Sequence, residues 1–484
     1  MTAAPPRLSR DDLPQGTARP APGIVHLGLG AFFRGHVATY LADAMAFGGG
    51  DWGVIGASLQ SPGVRDRLAP QDHLYTTVEL GPEGPRARVM EILSDVLVAP
   101  ENPARLVAAM AAPGTRIVSL TVTEKGYCHE PATGRLREDH PDIVHDLAHP
   151  DAPRSAPGFL VAALDRRRRA GRHPFTVLSC DNLPENGRVL RRLVLDFAAR
   201  RDAALARWIE AEARFPCSMV DRIVPATTEA DIATVAALTG RLDLAPVMHE
   251  PFRQWVIEDD FVDGTRPGLA VVGAQLVGDV TPFEKMKLRC LNGTHSTLAY
   301  LGYLAGHATI CEAASDPAFA ALCAHLWQAE IIPTLSPPEG TDLAAYARTL
   351  LERFRNPAIR HATWQIAMDG SQKLPQRILG TIADNLAAGR PCPGLALAVA
   401  GWMKYASGTD EAGAAIDVRD PLAGRLKGLW QADPTPEGRA GAYLAHREVF
   451  GDLSDHAEFR ATLKHACAML EDHGARGAIE RITR

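Results

Sequence analysis

The sequence predicts an α/β domain followed by an all-α domain. Short β-branched or apolar runs alternate with helical stretches up to about residue 283, and a Gly-x-Gly turn joins the first such run to the first helix. Beyond Pro282 strand-like runs almost vanish, and long Ala/Leu-rich helical stretches take over. A chain of 484 residues exceeds the size at which one core keeps growing, so two domains are expected, 1–283 and 284–484.

Composition narrows the function classes. With 46% hydrophobic and 22% charged residues the chain is of ordinary globular type, and a net charge of −6 gives no support for nucleic-acid binding. The most basic run, Arg166-Arg-Arg-Arg169, reads as the solvated face of a helix. Eight scattered cysteines form no Cys-x-x-Cys pair and no tight Cys/His cluster in sequence, so neither disulfides nor a metal centre is expected. The lead to Pro22 is rich in proline and charge, expected to lie over the surface, and no run of about 18 apolar residues occurs. A soluble protein of a reducing, cytoplasmic compartment is expected, off the membrane, as a monomer or small homo-oligomer.

In chain order, Gly23-Ile-Val-His-Leu-Gly-Leu-Gly30 reads as a strand entering a glycine turn, and 31–47 as a helix. Strand, Gly-x-Gly and helix together are the context of a dinucleotide-binding turn, where Gly28 and Gly30 let the backbone approach a pyrophosphate. Phe33 stands where a third glycine usually does, and Arg34 on the first helical turn is a candidate phosphate contact. Trp52-Gly-Val-Ile-Gly-Ala-Ser-Leu59 reads as the second strand. No acid follows it directly; Asp66 is late and Arg65 beside it could face a 2′-phosphate, which leaves NAD and NADP both open. Arg116-Ile-Val-Ser-Leu-Thr-Val-Thr-Glu124 and Phe175-Thr-Val-Leu-Ser179 read as further strands with polar carboxyl ends, where ligands sit in parallel sheets. Asn182 is thus either a site residue or an Asx cap for the 185–200 helix, and Asp221 either a site residue or the partner of Arg222.

Helices are expected at 284–306, 314–331, 341–354, 376–388, 394–407, 421–431, 437–449 and 456–472, with 363–377 as loop and turn. In the first of these, at roughly 100° per residue, Lys287, Asn292 and His295 fall at about 0°, 140° and 80° around the axis, on the arc of Leu288, Leu291 and Leu298. Lys285, Arg289 and Ser296 project the other way. A lysine turned toward the apolar side is expected to lose its proton readily, which makes Lys287 a candidate general base. Thr281 is the expected N-cap, with Glu284 closing a capping box or acting beside Lys287 one turn on.

Gly28-x-Gly30-x-Phe32-x-Arg34-x-His36, Ser119-Leu-Thr-Val-Thr-Glu124, Ser179-Cys-Asp-Asn-Leu-Pro184, Lys287-x4-Asn292-x2-His295 and Asp369-Gly-Ser-x-Lys373 occur in that order. Together, over nearly the whole chain, they resemble the polyol-specific long-chain dehydrogenase family, also called the mannitol dehydrogenase family. The resemblance implies a Rossmann-type N-terminal domain, a mostly helical C-terminal domain, no zinc, and NAD as cofactor with NADP not excluded. It implies contacts to that cofactor from Gly28, Gly30, Phe32, Arg34, Thr123 and Glu124. It also implies Lys287 as acid/base, Asn182 and Asn292 as the amide pair on the reacting oxygen, His295, Asp221 and Lys373 on the substrate chain, and Glu284 on a water path to the lysine.

The run Trp364-Gln-Ile-Ala-Met-Asp-Gly-Ser-Gln-Lys-Leu-Pro-Gln-Arg377, with Gln365 where mannitol dehydrogenases carry arginine, resembles the fructuronate reductase branch. Interconversion of D-mannonate and D-fructuronate is therefore expected, with a polyol substrate such as mannitol or arabinitol as the alternative. Lys373 and Arg377 would neutralise a sugar-acid carboxylate, or else face solvent. A different class is a silent sensor of the NADH/NAD ratio, against which the buried base speaks; a third is a helical scaffold with a vestigial nucleotide domain, which failure to bind cofactor would favour.

Overall fold

The computed structural model describes residues 5–130 and 133–484, without the side chain of Glu124. The chain forms two compact units, Met1–Thr281 and Pro282–Arg484.

The first unit carries β1 (Pro22–Leu27), β2 (Gly53–Ser58), β3 (Tyr75–Gly81), β4 (Gly84–Met90), β5 (Leu93–Val98), β6 (Ile117–Leu120), β7 (His129–Glu130), β8 (Arg135–Leu136), β9 (Thr176–Ser179), β10 (Ser218–Asp221), β11 (Val247–His249), β12 (Gln254–Glu258) and β13 (Gln275–Val277). Five of them make a parallel sheet in the order β5-β2-β1-β6-β9. The chain winds outward from β1 through β2 to β5, then returns to start β6 on the other side. That reversal between β1 and β6 opens a crevice at their carboxyl ends, where ligands bind in such sheets. Both faces are covered: Val25, Val118 and Val177 pack with Phe159 and Leu193 on one side, Ile24, Ile117 and Leu178 with Phe33 and Leu41 on the other. Adjacent residues go to opposite faces, as the pleat requires.

Several elements depart from expectation. The run 116–124 leaves the ladder at Leu120 because the carboxylate of Asp181 takes the amides of Val122 and Thr123. Strand β5 and the β3–β4 hairpin were not legible beforehand; β4 is largely exposed and polar. In the basic run, Arg168 and Arg169 pair with Asp165, but Arg167 turns inward to the Ala112 and Thr115 carbonyls and over the Phe175 ring. Burial lowers its pKa to about 10. The proline-rich lead is mostly exposed, yet Leu8 is buried and pairs with Leu242.

The second unit is helical around one core, with Pro393–Ala406 almost wholly buried and Ala457–Ile482 packed beside it. Among the described residues no strand follows Val277. The segment expected as loop, 363–377, is instead Thr363–Ala367, Gly370–Leu374 and the π turn Pro375–Leu379, leading into Gly380–Ala387. Asp420 pins it, accepting from Ser371 N at 2.7 Å and from Ser371 Oγ at 2.6 Å. No helix among the described residues is long and apolar enough to cross a membrane.

Candidate active site

At the carboxyl end of β1, Gly28 has φ +93°, and a Cβ there would lie 2.1 Å from the Thr121 carbonyl oxygen, so only glycine fits. Gly28 N donates to Ala57 O at 2.9 Å and Gly30 N to Gly28 O at 2.7 Å, closing the turn. Beneath it lies His26, a residue the sequence reading passed over. Its Nδ1 is 2.9 Å from Ser119 Oγ, its Nε2 2.9 Å from Thr121 Oγ1 and 3.2 Å from Gly28 O, and its ring stacks on Phe33 at 3.6 Å. Burial lowers its pKa to about 3, so it stays a neutral brace. A Cβ on Gly30 would meet nothing nearer than Gly28 O at 3.9 Å, which leaves the backbone open to a bulky anion such as a pyrophosphate. Phe32 is half-buried and stacks on His36 at 5.1 Å.

Arg34 corrects the expectation of a phosphate contact. It is 6% exposed, donates through Nη1 to the Ala245 carbonyl and lies over the Tyr75 ring, so its charge is spent inside the unit. Arg65 is likewise engaged, with Asp66 at 2.8 Å and with Glu101, which satisfies the guanidinium that could have met a 2′-phosphate.

Beyond β6, Thr123 has φ 64° and ψ 167°, a strained conformation for a β-branched residue. Asp181 holds it there: Oδ1 accepts from Thr123 N at 2.8 Å, and Oδ2 from Val122 N at 3.1 Å and from Tyr127 Oη at 2.8 Å. Burial raises the pKa of Asp181, and these hydrogen bonds work the other way. The Glu124 side chain lies outside the described residues. Asn182 is exposed in the loop after β9. The following helix, Asn186–Arg201, has Glu185 at its cap position, and Asn186 ties the loop to β10, through Asp181 O, Ser218 O and Ser218 N. Asp221 is buried at the end of β10, and Arg222 beside it donates to Gly35 O and Glu250 O.

At the start of the second unit, the Thr281–Met286 helix opens with Thr281 N donating to Asp279 Oδ1 at 2.9 Å. Lys287–Gly293 then forms a π turn before the α-helix resumes at Thr294–Leu304. Bonding from i to i+5 sets Asn292 one turn above Lys287, in place of the angle of about 140° that α-helical steps imply. Lys287, Asn292 and His295 are 8%, 8% and 7% exposed. The helix is enclosed on its other sides too: Ser296 is buried, and Arg289 reaches Thr334 Oγ1 at 2.8 Å and Asp384 at 2.6 Å, whereas both had been expected to face outward. Lys285 is exposed and Glu284 half-buried.

Two buried atoms of the trio, Asn292 Nδ2 and His295 Nε2, have no hydrogen-bond partner among the described residues. Such atoms in a native interior ask for a ligand. His295 stacks on Phe354 at 5.2 Å and lies 5.1 Å from His361. Its pKa is held well below the usual value, by burial first and then by His361, Arg377, Arg353 and Lys373. Arg353 and His361 were missed in the sequence, where nothing near them marks a site. Arg377 Nη1 donates to Ser296 Oγ at 3.1 Å and Lys373 Nζ to Met368 O at 2.6 Å. A Cβ on Gly293 would lie 2.7 Å from the Arg377 carbonyl oxygen, so glycine lets the two π turns approach. Gln365 is exposed on Thr363–Ala367.

A parallel sheet with a glycine turn at its reversal point, followed by a helical unit that buries a lysine, an amide and an imidazole together, is the build of a dehydrogenase acting on CH–OH groups. The chain belongs to the mannitol dehydrogenase family: residues 22–270 match its Rossmann domain and 279–471 its C-terminal domain. It is 48% identical over 461 residues to the D-mannonate oxidoreductase of Escherichia coli (strain K12), spanning 94% of each chain. It is also 42% identical over 464 residues to a mannitol 2-dehydrogenase of Phaeosphaeria nodorum, spanning 94% of this chain and 80% of that one. Among solved structures, the Pseudomonas fluorescens mannitol 2-dehydrogenase in ternary complex with NAD and D-mannitol matches with a TM-score of 0.88 at 40% identity, over 98% of this chain and 99% of the other.

Proposed function

We propose that the chain is an NAD-dependent fructuronate reductase, interconverting D-mannonate and D-fructuronate. The observation that carries this is the gathering of Arg353, Lys373 and Arg377 about His295, cationic side chains that suit a sugar-acid carboxylate and that an uncharged polyol would not use, with a neutral His361 beside them. The first unit serves as the cofactor domain, with Gly28, Gly30, Phe32 and Thr123 at its edge, and the second brings the acid/base. NAD, when bound, supplies the hydride acceptor.

Lys287 takes the proton of the reacting hydroxyl in oxidation and returns it in reduction. Asn292 Nδ2 donates to the same oxygen and stabilises its developing charge, while His295 Nε2 meets a neighbouring hydroxyl of the chain. For Asn182 as second oxygen donor, Asp221 on the substrate, Glu284 on a water path and Gln365 as a branch marker, the family resemblance is the support. The second reading, a mannitol 2-dehydrogenase, draws on the likeness to the enzymes that carry that name.

Initial rates of NADH and NADPH oxidation by EDTA-treated protein, with D-fructuronate and D-fructose in turn, separate the two. Fast turnover of fructuronate with NADH and little of fructose is expected; the opposite preference would establish the polyol reading.

A further inference from the structure

A cluster apart from the Lys287, Asn292 and His295 group lies in the first unit. Cys128, in a left-handed conformation with φ 52°, stands just before β7. His140 is the cap residue of the Pro141–Ala148 helix and Asp142 lies in its first turn. The three residues share no short-range spacing in the sequence; the fold brings a ligand atom from each within 4.8 Å of the others. Burial is graded, with Cys128 6% exposed and the side chains of His140 and Asp142 24% and 45% exposed, so the group has a fixed base and an open approach from solvent.

We propose that Cys128, His140 and Asp142 form a binding site for a borderline-soft divalent cation, zinc above all. A thiolate, an imidazole and a carboxylate are a zinc donor set, and three protein ligands leave the fourth tetrahedral position to water. Metal–ligand bonds of about 2.0–2.3 Å put tetrahedral ligand atoms about 3.5 Å apart, so side-chain closure of about 1 Å completes the site. His140 Nδ1 and Asp142 Oδ2 already stand 3.9 Å apart. The weak cap bond from Asp142 N to His140 Nδ1, at 3.2 Å, is exchanged for the metal bond, and the thiol proton passes to solvent.

The site is coupled to the sheet edge through one residue. Tyr127, next to Cys128, bonds Ser179 Oγ at 2.5 Å and the Asp181 carboxylate, which in turn fixes the Val122 and Thr123 amides. An ion drawing on Cys128 pulls at that brace, and weaker dinucleotide binding follows.

Titration of the EDTA-treated full chain with cobalt(II) tests the site, followed by displacement with zinc. A thiolate-to-cobalt charge-transfer band that saturates at one equivalent is expected, lost in Cys128→Ser. His140→Asn keeps a cap acceptor and should weaken binding by at least about tenfold. No band in the folded wild type, or a band retained in Cys128→Ser, would overturn the site. Zinc should also weaken NADH binding in the wild type and leave it unchanged in Cys128→Ser; NADH affinity indifferent to zinc in both would overturn the coupling.

Discussion

Two buried histidines, one in each unit, show the difference between a polar group that holds a fold and one that awaits chemistry. His26 and His295 are both sealed from water and both have their pKa driven down by burial. Yet both nitrogens of His26 have partners, to hydroxyls and a carbonyl of its own unit, whereas Nε2 of His295 has none. The neighbours differ as well: Ser119, Thr121 and Phe33 around the first, and His361, Arg353, Lys373 and Arg377 around the second. A saturated network rigidifies; an unsaturated one stores the capacity to bind.

The largest expected contrast comes from Lys287→Ala, which should lower kcat by about 10²–10⁴ while NADH affinity, read by fluorescence titration, stays within about twofold. Unchanged turnover would remove Lys287 from the chemistry. Asn292→Ala should lower kcat by about 10²–10³, and because its Nδ2 has no partner to lose, the thermal midpoint should hold or rise. A clear drop in the midpoint would make Asn292 a structural residue like His26. His26→Leu should do the reverse: it strands the hydroxyl of Ser119 and leaves that of Thr121 only its bond to Gly28 O, costs about 1–3 kcal/mol by urea unfolding, and weakens NADH binding with kcat at saturation little changed. Loss of kcat without loss of stability would break the distinction.

How much of this could be read from the chain differs element by element. β1, β2 and β9 are short runs rich in apolar and β-branched residues and announce themselves, as do the glycine turn and the Lys287/Asn292/His295 grouping. Arg34 was misread because sequence shows a guanidinium next to a glycine turn but not the Ala245 carbonyl that captures it from far along the chain. The segment 363–377 looked like loop because Asp369, Gly370 and Pro375 are breakers; Asp369 does take a left-handed φ of 56°, and the chain resumes helix immediately after. His26 was passed over as one polar residue in an apolar strand, and the Cys128, His140 and Asp142 grouping is a property of space and not of spacing.

The smallest expected effect is on pH dependence. Burial lowers the folded pKa of His26 to about 3 and those of His249 and His361 to about 4, so each takes up a proton on unfolding at any pH between those values and about 6.5. Stability should therefore fall as pH drops through that window, by up to about 1.4 kcal/mol per pH unit for each histidine. In His26→Leu the slope between pH 6 and 4.5 should be shallower by about that amount; an unaltered slope would mean that His26 is charged in the folded protein.

The π turn at Lys287–Gly293 makes length itself a coding property of the chain. It accommodates one residue more than an α-helical path would, so every position after it is out of step with every position before it. Deleting one residue between Lys287 and Asn292 and returning to a plain α-helix makes their spacing four residues in place of five, still about one turn, whereas α-helical bonding at constant length swings Asn292 away from Lys287 by about 140°. A library of single deletions in this stretch should thus keep some activity where replacements that force α-helical bonding at full length lose it.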